Sequence, residues 1–154
     1  MTMVSGRQAS DALPRISVVL CTHQGERWLE QQLQSIRNQT LPPDEVVVGD
    51  DASRDATLGI LQSFARDAPF PVHLARHEPA LGVTENFEVT LSRARGRYLA
   101  LCDQDDIWLP DRIERSVAAV LEREGDGSIP ILVHSDLDLI DDEGADLGRR
   151  FMET

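Results

Sequence analysis

The sequence predicts an α/β fold built on a doubly wound, mostly parallel sheet with helices on both faces. Two observations predict this fold. Short apolar runs rich in β-branched residues alternate four times with segments of helical periodicity before a last apolar run follows, and turn residues separate the segments. Strands that alternate with helices in this way run parallel and are joined by right-handed crossovers.

The first half of the chain supplies the clearest elements. In order, they are a strand at 16–22, a helix at 25–37, a strand at 45–49 and a helix that includes 58–65. The first strand is a continuous apolar run of the kind that is covered on both faces, and both helices repeat apolar residues every three or four positions. We expect Ser53 or Asp51 to form the N-cap of the second helix.

The second half continues the alternation. In order, it predicts a strand at 72–75, a helix that starts at 82–84, a strand at 97–102, a helix that starts near Pro110 and a strand at 129–134. Phe87, Leu91 and Ala94 are expected to point inward from the third helix, which Gly96 ends. Pro110 suits the first turn of a helix because its missing N–H has no intrahelical partner there. The acidic segment that follows, 136–148, is rich in turn residues.

The organisation along the chain is simple. Residues 1–14 lack periodicity and predict a loose tail, and residues 15–154 are long enough for one domain with its own core. No apolar run approaches the ~18 residues of a membrane span, and the N-terminus has no apolar signal-peptide core, so we expect a cytoplasmic protein. Cys21 and Cys102 each end an apolar run and are expected to be free, buried thiols.

The charge balance excludes several function classes. The 154 residues contain 27 acidic and 15 basic side chains, giving a formal net charge of −12, and all the basic residues are arginine. Without a lysine, a phosphate-binding P-loop and a Schiff-base enzyme are excluded. No nucleic-acid partner is expected, because neutralising phosphates needs a basic face. The acidic balance fits a chain that holds a divalent cation.

Polar residues follow the predicted strands where each one ends, which is where ligands bind in doubly wound sheets. They are Thr22, His23, Gln24 and Gly25 after the first strand, Asp50 and Asp51 after the second, and Asp103, Gln104, Asp105 and Asp106 after the fourth. Five carboxylates at one rim repel one another unless a cation or several donors are present. The alternative interpretation is that these aspartates are helix caps and solvated loop charges.

The spacing of Asp103 and Asp105 suits a shared ligand. Carboxylates two residues apart, just past a strand, can both face one Mg²⁺ or Mn²⁺ ion, which completes its shell with water and substrate phosphates. A nucleoside diphosphate-sugar is such a substrate, and the ion would neutralise the leaving diphosphate. A dehalogenase-type phosphatase would instead need its aspartate pair after the first strand and a lysine. A dinucleotide-binding dehydrogenase would need GxGxxG where this chain has THQGER.

Three pieces of sequence occur in a distinctive order. They are ISVVLCTHQGERWLEQQLQSIRNQT, DEVVVGDDASRDAT and GVTENFEVTLSRARGRYLALCDQDDIWLPDRI. Together they resemble the family 2 glycosyltransferases with a GT-A fold, from Ile16 to about Gly144, and DQDDIW followed by VHSDLDLIDDEG is most similar to bacterial rhamnosyltransferase-like members that act on surface polysaccharides. The resemblance implies a Rossmann-like GT-A domain that transfers a sugar, with inversion, from a UDP- or dTDP-sugar to a glycan or lipid-linked glycan acceptor. It also allows a peripheral position at the inner face of the membrane.

The resemblance implies roles for the residues after the first two strands. Asp51 matches the aspartate that hydrogen-bonds the pyrimidine base, Asp50 lies beside it, and Thr22 lines the same pocket. His23 and Gln24 replace the usual Tyr-Asn pair. A histidine stacks on a base less broadly than a tyrosine, so His23 is interpreted either as part of the base pocket or as a loop histidine.

The motif after the fourth strand also acquires roles from the resemblance. Asp103 and Asp105 match the outer members of the family's DxD motif, one towards the ribose and the other towards the divalent cation. Asp106 is an additional acid beside the motif. Trp108 is either an aromatic packed behind the motif or an ordinary core residue, and Arg76, at the end of the third strand, is a candidate to approach the diphosphate.

The resemblance also implies a general base that deprotonates the acceptor, several tens of residues after the motif. The chain ends 48 residues after Asp106, so we expect this base beyond Thr154. The candidates within the chain are Asp136, Asp138, Asp141 and Asp142. Two functions stay open: the donor-binding portion of a glycosyltransferase, or a non-catalytic nucleotide-sugar-binding module without general base and acceptor site. An acidic interaction domain is a third. Apolar surface left uncovered beside the fifth strand also predicts self-association.

Overall fold

A computed structural model describes residues 16–124 and 129–152 of the chain. The chain divides into two compact units between Glu114 and Arg115. The predicted tail, 1–14, lies outside the described residues. Among the described residues, no helix has the length and apolar character needed to cross a membrane.

The observed elements follow the predicted alternation through the fourth helix. The first unit contains β1 (Ile16–Thr22), α1 (Leu29–Arg37), β2 (Glu45–Asp51), α2 (Thr57–Asp67), β3 (Val72–His77), α3 (Val83–Leu91) and β4 (Tyr98–Cys102). Helix α4 (Arg112–Leu121) spans the division between the units, and the second unit contains β5 (Asp138–Ile140) and β6 (Asp146–Arg150). Strands β2 and β3 are longer than predicted, so Asp50 and Asp51 end a strand rather than follow one.

Four strands form the parallel sheet that the sequence predicts. Their order is β3-β2-β1-β4, with Ser17 of β1 paired with Glu45 of β2, and Ile16 of β1 paired with Tyr98 of β4. Because all four strands are parallel, their carboxyl ends meet at one edge. Strands β2 and β3 lie on one side of β1, and β4 lies on the other side. The switch point of the sheet therefore lies between β1 and β4.

Helices α1 and α3 cover opposite faces of this sheet, as predicted for a doubly wound fold. Gln32 of α1 donates a hydrogen bond to Cys102 Sγ at 2.7 Å, whereas Thr90 of α3 faces Gly49 of β2. In the sheet register, Cys102 and Gly49 pair with consecutive residues of β1. Consecutive residues of a strand point to opposite faces, so the two helices must lie on opposite sides.

The core lies in the two central strands. The fully buried apolar side chains there are Val18, Val19, Leu20, Val46, Val47 and Val48. Each is worth roughly 1.5–3 kcal/mol relative to an exposed position. The edge strand β4 is less covered, with Leu99 and Leu101 about half exposed. Continuous apolar runs in β1 and β2 therefore correspond to burial on both faces.

Both cysteines are free, as predicted, but only Cys102 is buried, whereas Cys21 is half-buried. Burial raises the pKa of the Cys21 thiol to about 11, opposed by a hydrogen bond with Thr90 and reinforced by the charges of Asp103 and Asp51. Burial raises the pKa of Cys102 further still. Both thiols therefore keep their protons at neutral pH and are poor nucleophiles.

The predicted fifth strand is wrong. Residues 129–134 form no strand, and Ile129 and Leu132 are 74% and 85% exposed. An apolar run becomes a strand only where a neighbouring strand accepts and donates its backbone hydrogen bonds, and Pro130 has no N–H to donate. Here the apolar pattern is not accompanied by a pairing partner.

A hairpin forms instead in the acidic segment that carried no predicted element. Asp138 of β5 pairs with Arg150 of β6, and their side chains form an ion pair at 3.1 Å. Asp141 Oδ1 accepts the backbone N–H groups of Glu143 and Ala145, at 3.0 and 2.8 Å. Asp138 and Asp141, which belong to the acidic segment rich in turn residues, thus stabilise this hairpin.

The predicted inward face of α3 is also corrected. Its most buried residues are Asn86 and Thr90, whereas Phe87 and Leu91 are only half-buried. Asn86 Nδ2 donates to the carbonyl of Gly49 at 2.9 Å. A polar pair is accommodated because α3 approaches β2 closely at a glycine, where the backbone supplies the hydrogen-bond partner.

A buried carboxylate links the amino ends of three strands. Glu45 Oε1 accepts hydrogen bonds from Ser17 Oγ at 2.6 Å and from the Arg95 N–H at 2.7 Å, and His73 Nε2 lies 3.3 Å from Oε2. Burial alone would raise the pKa of Glu45, but these donors and the His73 charge outweigh it and lower the pKa below its ordinary value of 4.5. The ionised form is therefore favoured by folding.

We expect Glu45→Ala to destabilise the chain by about 2–4 kcal/mol at pH 7, because it leaves the Ser17 hydroxyl and the Arg95 N–H without their acceptor. Since the folded-state pKa of Glu45 is lowered, its contribution is complete above the unfolded-state pKa and is lost as pH falls through the folded-state value. The difference between wild type and variant should therefore shrink below about pH 4.5. Urea unfolding at pH 7 and at acidic pH measures it. Glu88→Ala, on the exposed face of α3, is the control, and an equal loss for both variants would contradict the assignment.

Candidate functional site

The carboxyl edge of the sheet brings the predicted site residues together. Buried Asp50, at the end of β2, accepts a hydrogen bond from Thr22 Oγ1 of β1 at 3.0 Å and another from the Ser53 N–H at 3.1 Å. Arg76 Nε of β3 lies 3.8 Å from the same carboxylate. A buried charge needs such partners to offset its desolvation. Asp50 and Thr22 therefore form the floor of the site.

Asp51 connects β2 to the start of α3. Its Oδ1 accepts the N–H of Leu81 at 2.6 Å, and its Oδ2 accepts the N–H of Gly82 at 2.8 Å. Each carboxylate oxygen has a second lone pair, so acceptor capacity remains. Asp51 thus fixes the β3–α3 loop at the edge of the sheet.

The predicted N-cap of α2 is therefore wrong for both candidates. Helix α2 begins at Thr57, whose N–H donates to Asp55 Oδ1 at 3.0 Å. Asp51 is engaged by the loop before α3, and Ser53 Oγ accepts the N–H of Gln24 at 3.0 Å. Both side chains that the local sequence predicts as N-caps instead accept hydrogen bonds from backbone N–H groups of other loops.

His23 lies at the centre of the rim. Its Nδ1 is 2.6 Å from the carbonyl oxygen of Asp51, which can only accept, so Nδ1 must carry the proton. Its backbone N–H donates to Gln104 Oε1 at 2.9 Å, and Gln104 Nε2 donates to the His23 carbonyl at 3.0 Å. The imidazole is thus held in one orientation, with Nε2 as an acceptor in the neutral ring.

A cleft of about 640 Å³ opens beside His23. Its lining residues come from the loops after β1, β2 and β3: His23, Gln24, Ala52, Arg54, Glu78, Pro79 and Ala80. This volume falls within the range of small-molecule sites, about 300–1,000 Å³. Gln24 and Ala52 have φ values of 51° and 57°. Left-handed backbone costs a residue with a side chain roughly 1–2 kcal/mol, and such strain concentrates at binding sites.

The acidic motif after β4 forms the other side of the rim. Asp103 and Asp105 are exposed, whereas Asp106 is half-buried. Burial raises the pKa of Asp106, and the nearby charges of Asp103 and Asp105 raise it further, against the opposing charge of Arg112. Asp103 and Asp105 therefore both lie near enough to disfavour the charged form of Asp106.

This donor set fits a divalent cation only in part. Hard oxygen ligands are what Mg²⁺ and Mn²⁺ prefer, and negative charge accumulates at this point without a lysine to offset it. Among residues 16–124 and 129–152, however, no group of three or more His, Cys, Asp or Glu side chains is arranged to hold a metal alone. An ion shared by Asp103 and Asp105 would therefore need oxygens from a phosphate-bearing ligand.

Buried contacts hold the motif against α1. Trp108 is buried, its backbone N–H donates to Ser35 Oγ at 3.1 Å, and the Arg112 guanidinium stacks 4.3 Å from its ring centroid. Gln39 Nε2 donates to the Leu109 carbonyl at 2.8 Å. Trp108 is therefore a core aromatic that also supports the motif. Sequence reasoning missed Ser35 and Gln39, and it listed Gln104 after the fourth strand without its contact to His23. The partners of all three residues are 70 or more residues away.

Residues 17–150 match the family model described as glycosyl transferase family 2. The chain belongs to glycosyl transferase family 2. This confirms the predicted family and excludes the interpretation as an acidic interaction domain.

Family 2 relatives agree with the predicted subgroup. The chain is 31% identical over 110 residues to TuaG of Bacillus subtilis, named as a teichuronic acid biosynthesis glycosyltransferase, covering 71% of this chain and 43% of TuaG. It is 32% identical over 104 residues to the dTDP-rhamnosyl transferase RfbG of Shigella flexneri, covering 64% of this chain and 35% of RfbG. The chain thus spans less than half the length of these relatives.

Solved glycosyltransferase structures confirm the GT-A fold. The Staphylococcus aureus TarS structure in complex with UDP-GlcNAc superposes with a TM-score of 0.65 and 27% identity, over 71% of this chain and 32% of TarS. The mannosyltransferase PcManGT of Pyrobaculum calidifontis, in complex with GDP-Man and Mn²⁺, superposes with a TM-score of 0.64 and 28% identity, over 70% of this chain and 32% of PcManGT.

Proposed function

We propose that residues 15–154 form the donor-binding domain of a metal-dependent glycosyltransferase, which transfers a sugar from a nucleoside diphosphate-sugar to an acceptor hydroxyl in polysaccharide synthesis. One observation carries the proposal: the cleft beside His23 and the Asp103–Asp105 pair lie on the same edge of the sheet, joined by the Gln104–His23 hydrogen bonds. A nucleoside diphosphate has an aromatic base at one end and a cation-binding diphosphate at the other, and so matches these two features.

In this proposal the cleft receives the base. His23 offers an imidazole face that is oriented through Nδ1, and Asp51 offers the remaining lone pairs of its carboxylate to a ring N–H of a pyrimidine. Thr22 and Asp50, which are buried like Asp51, fix the end of β2. Asp50 therefore supports the pocket from behind, and Asp51 and His23 make the contacts.

The motif after β4 receives the ribose and diphosphate. Asp103 is assigned to the ribose and to the cation, and Asp105 to the cation, with the diphosphate completing its coordination. When bound, Mn²⁺ or Mg²⁺ would supply Lewis-acid stabilisation of the diphosphate leaving group. The complex of PcManGT with GDP-Man and Mn²⁺ supports a cation at a site of this fold.

The donor and acceptor are proposed from similarity. TarS has been solved with UDP and with UDP-GlcNAc, and RfbG is named for dTDP-rhamnose transfer, so we propose a UDP- or dTDP-sugar. A glycan or lipid-linked glycan is the proposed acceptor. The proposed location is the cytoplasm or the inner face of the membrane.

A second candidate function, nucleotide-sugar binding without transfer, is favoured by the partners of the acids considered as the general base. Asp138 is paired with Arg150, and Asp141 organises the hairpin turn. Asp136 Oδ1 accepts the N–H groups of Leu137 and Met152. A general base must accept a proton from a substrate hydroxyl, and three of the four candidate acids already make contacts within the hairpin, which favours a structural role for them.

Calorimetric titration of the 154-residue chain tests the donor site. We expect UDP or dTDP to bind in Mn²⁺ or Mg²⁺ and to lose at least about tenfold in affinity when EDTA removes the cation, because the ion bridges the carboxylates and the diphosphate. Equal affinity with and without EDTA would contradict a shared cation. A donor-consumption assay separates the two functions, since acceptor-dependent turnover requires a general base within the chain.

A further inference from the structure

Gln104, the middle residue of the proposed cation-binding motif, makes two hydrogen bonds with the backbone of His23. Its amide oxygen accepts the N–H of His23 at 2.9 Å, and its amide nitrogen donates to the carbonyl of the same residue at 3.0 Å. This reciprocal pattern is the one that neighbouring strands use, formed here by a side chain that lies 81 residues from its partner. The β4–α4 and β1–α1 loops are thereby joined at one point.

Gly25 provides the space for this amide. A Cβ atom at position 25 would lie 2.4 Å from Gln104 Oε1 and 2.8 Å from Gln104 Cδ. The φ angle of Gly25 is not in the left-handed region, so its backbone conformation does not require glycine. Position 25 therefore requires glycine because the Gln104 side chain lies so close to it.

The Gln104–His23 pair connects the two halves of the donor site. Asp103 and Asp105, on either side of Gln104, are the pair assigned to the cation. His23 lines the cleft and reaches the Asp51 carbonyl through Nδ1. A ligand that binds both halves gains affinity only if the halves stay at the separation that the ligand spans.

We propose that Gln104 is a positioning residue that fixes the distance between the base-binding cleft and the cation-binding pair, with Gly25 as the space it needs. This inference rests on the proposed function. The amide touches neither the base nor the diphosphate in this role; it acts through His23. Each half keeps its own affinity without Gln104, and what is lost is the gain from binding both ends of one molecule.

Three probes on the full 154-residue chain test this. UDP with Mn²⁺ spans both halves, uridine occupies only the cleft, and pyrophosphate with Mn²⁺ occupies only the aspartate pair. We expect Gln104→Ala to weaken UDP binding by about tenfold to hundredfold and to leave the other two affinities within about threefold. Gln31→Ala, an exposed glutamine of α1, is the control and should change none of them.

A double substitution separates positioning from general damage. Gly25→Ala should weaken UDP binding as Gln104→Ala does, because the new methyl group displaces the amide. Once Gln104 is alanine, the clash is gone, so adding Gly25→Ala should cost little more than Gln104→Ala alone. Independent, additive losses would overturn the inference, as would equal losses for all three probes.

The donor site and the positioning role of Gln104 can be rejected separately. If wild type binds none of the three probes, the proposed donor site is wrong and the inference falls with it. If wild type binds all three and Gln104→Ala binds UDP as tightly as wild type, the donor site stands and the positioning role is wrong.

Discussion

Asp105→Asn is expected to remove the metal dependence of nucleotide binding and to weaken UDP affinity in Mn²⁺ by about 100-fold or more. The amide keeps the size of the side chain and removes the charge that the proposed function assigns to the cation. Even partners that merely orient metal ligands are worth roughly 10–100-fold in affinity, so loss of a ligand charge should cost at least as much. Calorimetry in Mn²⁺ and in EDTA measures the effect.

Unlike its UDP affinity, the stability of the Asp105→Asn variant should not fall. Asp105 is exposed, and its charge raises the pKa of half-buried Asp106. Removing that charge relieves repulsion, so the melting temperature without metal should stay unchanged or rise slightly. Asp67→Asn, at the exposed last residue of α2, is the matched control. Full Mn²⁺-dependent UDP binding by Asp105→Asn would remove this residue from the cation site.

Gly49→Ala is expected to destabilise the chain by about 3 kcal/mol or more. A Cβ atom there would lie 2.1 Å from Thr90 Oγ1 and 2.3 Å from Asn86 Oδ1, both on buried side chains. Helix α3 would have to move off the sheet, which adds the cost of overpacking, about 1–3 kcal/mol, to the loss of the buried hydrogen bond from Asn86 to the Gly49 carbonyl.

Another glycine offers a control of opposite sign. Gly59 lies in the exposed part of α2. Apart from its chain neighbours and the backbone of its own helix, no atom of the described residues lies within 4 Å of the position that a new methyl group would take, so Gly59→Ala should stabilise the chain by roughly 0.5–1 kcal/mol. Urea unfolding of both variants measures the difference. If Gly49→Ala is neutral, α3 does not pack on β2 as closely as described, and partial recovery in Gly49→Ala/Thr90→Ala would locate the clash.

Sequence was sufficient for the features that depend on local pattern. The buried strands β1 and β2 appear as continuous β-branched runs because both of their faces are covered. The alternation of strands and helices predicted the parallel sheet, and parallel strands necessarily bring Thr22, Asp51 and Asp103 to one edge. Whether these residues bind a donor stays a prediction, since their geometry alone does not test it.

The features that sequence did not predict depend on distant partners. Residues 129–134 have the composition of a strand but no paired neighbour. Ser53 and Asp51 have the chemistry of N-caps, but other loops take their hydrogen bonds. Gln104 sits in the motif as an ordinary middle residue, and its partner His23 can be identified only in three dimensions. In each case tertiary contacts override a local preference.

Asp51 and Asp105 differ in what the folded chain requires of them. Asp51 holds the Leu81 and Gly82 amides, so a lineage that no longer used a nucleotide would still retain it to keep the start of α3 in place. Within the described part of the chain, Asp105 accepts no hydrogen bond and is exposed, so folding gives no reason to keep it. Among descendants of this sequence, the persistence of Asp105 would therefore report continued use of the site, whereas the persistence of Asp51 would report only that the chain still folds.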